Sequence, residues 1–179
     1  PALCTPSAEL AGHPQGTRGL LMPLIPPGFV NLAGPPSLES CTRDVYPQGL
    51  RMTLPVLLRV VRAMAQAVAH LHHRGVMHGD LYAHNILWNP GNGDALLSDF
   101  GAAPRLPAQR VELAMALKAL EVRAFGCLVE ELLDLVPPTD SGDPGIAGLR
   151  LVANRCLDDE PSRRPSMDAV VSQCQLGLP

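Results

Sequence analysis

Six apolar side chains, Leu57, Val60, Val61, Met64, Val68 and Leu71, recur at helical spacing, with Arg59, Arg62, Gln66 and His73 mostly off that stripe. A stripe this long must be buried against other parts of the chain, so it dictates a helix-centred core. Thr53 is placed to cap the helix, Pro55 falls in its first turn, and Gly75 ends it. A chain of 179 residues is long enough for one sizeable core. With one Trp, two Tyr and three Phe, that core must be built mainly from Leu, Val, Ala and Met.

The rest of the chain is more broken, in keeping with nineteen prolines and sixteen glycines. Residues 1 to about 50 are rich in both. Leu20-Leu21-Met22-Pro23-Leu24-Ile25, bounded by Gly19 and by Pro26-Pro27-Gly28, is expected to be a buried strand ending in a loop. Asn31 to Gln48 has no clear period and reads as a wandering connection. Ile86 to Trp88 and Ala95 to Leu97 are expected as short strands joined through Pro90-Gly91-Asn92-Gly93. Further helices are expected from Glu121 to Val136, ended by Pro137-Pro138, from Ile146 to Leu157, and from Ser166, as cap, to Cys174. Trp88 reads as core packing, and Glu130-Glu131 as a solvated helix face. His72 and His73, adjacent on a helix, point apart and read as helix-end solvation rather than a metal pair. The sum is a mainly α (α+β) chain with no internal repeat.

Net charge is −3 and the arginines are scattered, which leaves no electrostatic footprint for nucleic acid. No apolar run is expected to approach the ~20 residues of a membrane segment, and no secretory signal is visible. Cys4, Cys41, Cys127, Cys156 and Cys174 are odd in number and too far apart in sequence for a metal-ligand pair, so free thiols and a cytoplasmic setting are expected. The chain starts at Pro1 and is expected to be a piece of something longer.

The chemistry lies in Val76-Met77-His78-Gly79-Asp80-Leu81-Tyr82-Ala83-His84-Asn85-Ile86-Leu87 and in Leu96-Leu97-Ser98-Asp99-Phe100-Gly101. Asp80, Asn85 and Asp99 sit on loops beside short apolar strands. A hairpin between Asn85 and Asp99 can bring an amide and a carboxylate together as the hard oxygen ligands that Mg²⁺ prefers. Asp80 is then left to orient or deprotonate a hydroxyl.

His78-x-Asp80-x-x-x-x-Asn85 followed by Asp99-Phe100-Gly101, behind a helix ending Leu71-His72-His73-Arg74-Gly75, resembles the catalytic loop and metal-binding triplet of protein kinases. The resemblance implies ATP and Mg as cofactors and a protein hydroxyl as phosphate acceptor. It makes Asp80 the catalytic base and Asn85 and Asp99 the metal ligands, with His78 and Phe100 as buried spine residues. Leu87 would pack beneath adenine. Leu20-Leu21-Met22 is similar to the strand entering the kinase hinge, with Met22 as gatekeeper and Pro23, Leu24 and Ile25 offering backbone groups to adenine. Glu121 to Gly126 resembles the start of the central buried helix, Glu121 standing where the family has Asp and bracing the catalytic loop. Cys156-Leu157 through Pro161-Ser162-Arg163-Arg164-Pro165 resembles the family's late Arg-Pro motif. The implied architecture is the kinase large lobe over residues 27–179, with residues 1–26 a remnant of the small lobe and hinge.

Several positions depart from the family pattern. Lys118, the sole lysine, follows the triplet, so the phosphate-binding lysine that should precede the hinge is not in this chain. Gly12, Gly16 and Gly19 do not have glycine-loop spacing. The small lobe or another upstream domain is therefore expected outside these residues. Gly79 replaces the Arg that pairs with a phosphorylated activation segment. No Ala-Pro-Glu occurs; Pro107-Ala108-Gln109 is a degenerate version, which leaves Glu112 as the candidate partner of Arg164. Tyr82 stands where serine/threonine kinases carry a lysine. His78-Gly79-Asp80 also resembles aminoglycoside and choline kinases, and the whole is similar to stripped-down kinases linked to leucine-rich repeats. Three readings stay open: a protein kinase, a kinase-like scaffold without turnover, and a small-molecule phosphotransferase.

Overall fold

The structure is a computed structural model that describes residues 2–10, 19–38, 44–137, 139 and 142–176. Cys41, Gly12 and Gly16 lie outside the described residues. In chain order come β1 (Ala8–Leu10), β2 (Gly19–Leu21), β3 (Val30–Asn31), α1 (Leu54–His73), β4 (Ile86–Trp88), β5 (Ala95–Leu97), α2 (Val111–Leu133), α3 (Pro144–Cys156) and α4 (Met167–Leu176). The expected mainly α character holds. Helices carry most of the core, to which the antiparallel sheet β3-β4-β5 adds Ile86, Trp88, Ala95 and Leu97; β1 and β2 form a second antiparallel sheet.

The central helix forms where its stripe requires. Leu57, Val60, Val61, Met64 and Val68 are all at most 1% exposed. Pro55 occupies the first turn, and Thr53 sits at the cap in extended geometry but without a side-chain capping bond. Gly75, at φ +68°, takes the left-handed turn that ends the helix. By length and composition alone α1 could also cross a membrane, contrary to the expectation that no segment reaches that size. Half of its most apolar window is buried, and it packs on α4 and β5, so it is accounted for as the core helix of a folded lobe.

The β4–β5 hairpin matches the expected strands, in the register Ile86↔Leu97, Leu87↔Leu96, Trp88↔Ala95. Trp88 is 3% exposed, as core packing requires. Arg59 Nη1 donates to Asn92 O at 2.9 Å, tying the hairpin tip to α1. On the other edge of β4, Val30 and Asn31 pair with Trp88 and Leu87. The stretch from Asn31 is thus not a mere connection: it begins in a strand and buries Leu32 and Ala33. Two residues are too few to show a period, which is why the pattern hides it.

Two other expectations are corrected. The strand expected over residues 20–25 is only Gly19–Leu21, and it is not buried: Leu21, Met22 and Leu24 are exposed. Its ladder partner is β1, on a sheet separate from β3-β4-β5. The helix expected to begin at Glu121 begins at Val111, ten residues earlier, and stops at Leu133 rather than Val136. Glu112-Leu113-Ala114-Met115-Ala116-Leu117-Lys118-Ala119-Leu120 consists of strong helix formers. Its apolar residues Val111, Leu113, Met115 and Leu120 stay exposed, so propensity extends the helix with no buried stripe to announce it.

The last two helices keep close to expectation. Asp143 Oδ1 accepts from Gly145 N–H at the start of α3, and Ser166 Oγ accepts from Ala169 N–H at the start of α4. Glu130 is exposed, whereas Glu131 accepts a bond from Tyr46 Oη at 3.1 Å rather than facing only water. Cys4, Cys127, Cys156 and Cys174 are free thiols. Burial pushes the Cys156 thiol up to about 12, with Cys174 beside it adding to the rise.

Helix α2 crosses α3 at Gly126, where an added Cβ would lie 2.9 Å from both Cys156 Cβ and Leu157 Cγ. Overpacking of ~1–3 kcal/mol outweighs the helix preference of Ala, so Gly126→Ala is expected to destabilise by about 1–2 kcal/mol. Gly148 in α3 has nothing within 4 Å of such an atom, and Gly148→Ala is expected to stabilise by ~0.5–1 kcal/mol. Thermal denaturation checks both; shifts of the same sign would contradict the packing account.

Candidate active site

Asp80, Asn85 and Asp99 are positioned by the loop that leaves α1 and by the β4–β5 hairpin. Glu121 anchors the loop first. Only 2% exposed, it accepts His78 N–H at 2.7 Å and Gly79 N–H at 2.9 Å through Oε1, while Oε2 lies 2.8 Å from His72 Nε2. A carboxylate can only accept, so the His72 ring donates. Glu121 therefore makes the bracing contacts that the sequence reading gives it. His72 corrects that reading: it is buried, not solvated, and only His73 is exposed, beside Asp168 at 2.9 Å.

His78 is fully buried and holds the loop to the hairpin. Its Nε2 donates to Ser98 O at 2.8 Å; in that tautomer Nδ1 is free to accept Asp80 N–H at 3.3 Å. The Phe100 ring meets it edge-on with centroids 4.9 Å apart. At Gly79 the backbone takes φ +82°, and a Cβ there would stand 2.5 Å from Ala102 O. No residue with a side chain fits this conformation, which gives the glycine at this position a local steric cause.

Asp80 and Asn85 meet directly. Asn85 Nδ2 donates to Asp80 Oδ2 and to Asp80 O, both at 2.9 Å. With its amide nitrogen so engaged, the Asn85 Oδ1 atom has no donor among the described residues. Asn85 is also the last residue before β4, and both N–H and Oγ of Ser98 donate to its carbonyl, at 2.9 and 2.8 Å. The pairing places Asn85 and Ser98 opposite each other at the end of the hairpin, with Asp99 next along the chain. Asp99 adopts φ 56°, ψ 77°, the one non-glycine at positive φ among the described residues. Its Oδ1 accepts Gly101 N–H at 3.1 Å, which supports a conformation that Asp tolerates better than most residues.

These oxygens suit a hard cation. Asn85 Oδ1 and the second carboxylate oxygen of Asp99 are uncommitted, and Mg²⁺ takes such groups together with phosphate and water oxygens rather than a full protein cage. The described residues contain no cluster of three or more His, Cys, Asp or Glu side chains able to hold a metal.

The residues expected around adenine are less gathered. Leu87 is half-buried in the middle of β4. Met22 and Leu24 are 48% and 93% exposed, and Ile25 is half-buried. No strand pairing or hydrogen bond joins residues 22–25 to β4 among the described residues. A cavity of about 500 Å³ lies elsewhere, between the end of α1, the first turns of α2 and Pro161–Asp168, and none of the candidate residues lines it. Arg164 at its wall donates to Asp158 O and Ala119 O, not to the expected Glu112.

Two positions escaped sequence reasoning. His72 had a signal: it falls four residues after Val68 and eight after Met64, on the buried stripe. Asp44, buried against the loop, had none, because it lies in a segment without period.

Glu121→Gln keeps one acceptor oxygen but turns an amide NH₂ toward either His72 or the His78–Gly79 pair. The expected cost is about 1–3 kcal/mol, with faster hydrogen exchange at His78 and Gly79. Urea unfolding checks this, and wild-type stability in the variant would contradict the bracing role.

A family model described as protein kinase domain matches residues 38–120. The serine/threonine-protein kinase US3 homolog of bovine herpesvirus 1.2 is 34% identical over 122 residues, covering 68% of this chain and 25% of that protein. Cell division control protein 7 of Schizosaccharomyces pombe is 34% identical over 102 residues, covering 49% and 10%. The chain thus spans a quarter or less of the length of these relatives. Among solved structures, a divergent kinase lacking the glycine-rich loop, which regulates membrane ultrastructure of the Toxoplasma parasitophorous vacuole, superposes with a TM-score of 0.56. It is 18% identical, over 72% of this chain and 45% of the other. The loop, the triplet, the helix behind them and these similarities agree: the chain belongs to the protein kinase superfamily.

Proposed function

We propose that this chain is the large-lobe part of an ATP-dependent protein kinase, working with a small lobe carried outside residues 1–179. The observation that carries this reading is the Asp80–Asn85 contact tied through Ser98 to Asp99. It sets Asp80 beside Asn85 at the hairpin end where Asp99 follows Ser98, which supports reading them as a base and two oxygen ligands. When bound, Mg²⁺ would neutralise charge on the nucleotide phosphates, and Asn85 and Asp99 would hold it. Asp80 Oδ2, oriented by the Asn85 amide, would accept the hydroxyl proton of the acceptor. Leu87 would lie under adenine, with Met22, Leu24 and Ile25 at the hinge. A protein acceptor is favoured because a relative 34% identical over 122 residues is named a serine/threonine-protein kinase. A cytoplasmic setting fits the free thiols.

A second reading, a kinase-like scaffold, rests on the placement of Lys118. The sole lysine lies on α2 beyond the triplet, so this chain has no lysine at the position of the phosphate-binding lysine. The structural neighbour is itself described as a divergent kinase lacking the glycine-rich loop. We place turnover with the longer protein and weak nucleotide binding with this chain.

Two outcomes are expected. In the protein carrying both lobes, Asp80→Asn lowers phosphate transfer from [γ-³²P]ATP by ~10²–10⁴-fold; full transfer by the variant rules out Asp80 as the base. For the chain alone, saturating ATP with Mg²⁺ raises the melting temperature by well under the ~5–11 °C that ~2.7 kcal/mol of binding would give. A larger rise would show that the chain grips nucleotide without a small lobe.

A further inference from the structure

Glu121 is not the only buried carboxylate that holds the loop. Asp44 has a side chain with no exposed surface, in a stretch of chain that belongs to no helix or strand. Its Oδ2 accepts Ala83 N–H at 2.9 Å, and its Oδ1 accepts His84 N–H at 2.9 Å. The same Oδ1 lies 2.6 Å from His84 Nδ1, whose ring is tilted against Tyr82 with centroids 5.4 Å apart. A carboxylate taken out of water is costly unless it is fully hydrogen-bonded, and charge-assisted bonds of this length are the strong kind. An isolated surface aspartate would not be drawn into such a site. The loop supplies the donors that make its burial tolerable.

The placement matters more than the strength. Ala83–Asn85 is a single 3-10 turn whose side-chain cap is not supplied by its own N-cap residue, Tyr82. Asp44 takes that role from 39 and 40 positions upstream, gripping the first two N–H groups of the turn. Asn85 is the last residue of the same turn and closes it by donating its own N–H to Tyr82 O at 3.1 Å. The tilt of the turn therefore sets where the Asn85 amide points. Glu121 fixes the loop at His78 and Gly79, Asp44 fixes it at Ala83 and His84, and Asp80 is suspended between the two clamps.

We propose that Asp44 is a positioning residue for the candidate site, which aims the Asn85 amide oxygen at its ion by clamping the Ala83–Asn85 turn through two backbone N–H groups and the His84 ring. The proposal rests on the reading of Asn85 as a metal ligand. It adds a residue that touches neither ion nor substrate and sits in the least patterned part of the chain. Partners that orient a metal ligand from behind change metal affinity by about 10–100-fold when removed.

The test uses the full chain with Mn²⁺ and ATP as probe. Binding is read as paramagnetic broadening of the Asn85 side-chain NH₂ resonance, which reports even millimolar affinity. Backbone hydrogen exchange is followed in parallel without metal. Asp44→Asn should raise the Mn²⁺ midpoint at Asn85 about tenfold. It should also speed exchange at Ala83 and His84 while leaving the amides of His78, Gly79 and the middle of α1 at wild-type rates. A purely structural aspartate would speed exchange across α1 and leave the midpoint in place, and that result overturns the proposal, as does a variant unchanged in both readouts. If Asp44→Asn does not fold, His84→Ala carries the test, since it removes the ring bond and the Tyr82 contact but keeps both backbone bonds to Asp44; a smaller shift in the same direction supports the clamp, and an unmoved midpoint overturns it. Absence of broadening at Asn85 in the wild type overturns the metal reading itself, and the clamp's purpose with it.

Discussion

The buried Glu121 carboxylate is the contact on which the site's geometry depends. Three donors from two different elements converge on it, the N–H groups of His78 and Gly79 and the ring of His72. It thereby joins the middle of α2 to the end of α1 and to the start of the loop that leaves it. Loops tend to follow solvent because their backbone groups need partners. Here several of the partners are internal, so a stretch with little regular structure is tied to the elements packed around it. His78 extends the same logic to the hairpin through Ser98, and the glycine at 79 lets the backbone of residue 102 approach where any side chain would collide.

From that anchor the chemistry follows by geometry. The Asn85 amide spends its nitrogen on Asp80 and keeps its oxygen uncommitted; Asp99 spends one oxygen on the turn that follows it and keeps the other. Asp99 sits at positive φ, a conformation that costs of order 1–3 kcal/mol and is retained where function uses the direction it gives a side chain. Strain of this kind at one residue, beside an amide held from two sides, is what pre-organisation of a charged ligand set requires.

Much of this was legible in the residues. The stripe from Leu57 to Leu71 predicts α1, and the hairpin strands 86–88 and 95–97 stand where the turn residues place them. The spacing of His78, Asp80, Asn85 and Asp99 predicts the loop. The first turns of α2 were not legible, because their apolar residues face solvent and helix propensity alone leaves no period. The burial expected for residues 20–25 fails at Leu21, Met22 and Leu24, which stay exposed while the short β1-β2 ribbon forms its own sheet. His72 was misread although its place on the stripe marks it as buried. Asp44 is a different case: a carboxylate whose partners lie 39 and 40 residues away in an aperiodic stretch leaves no local trace, and only the folded chain reveals it.

The account's central claim is that Asn85 and Asp99 share one divalent ion beside Asp80. Anomalous diffraction from crystals of the chain soaked at high concentration in Mn²⁺ and a non-hydrolysable ATP analogue tests it directly. The account predicts one manganese peak bonded to Asn85 Oδ1 and an Asp99 carboxylate oxygen at about 2.1 Å, the spacing Mg²⁺ itself demands of oxygen ligands, with Asp80 outside the coordination sphere. Manganese bound elsewhere, with both of those oxygens facing water, would contradict it.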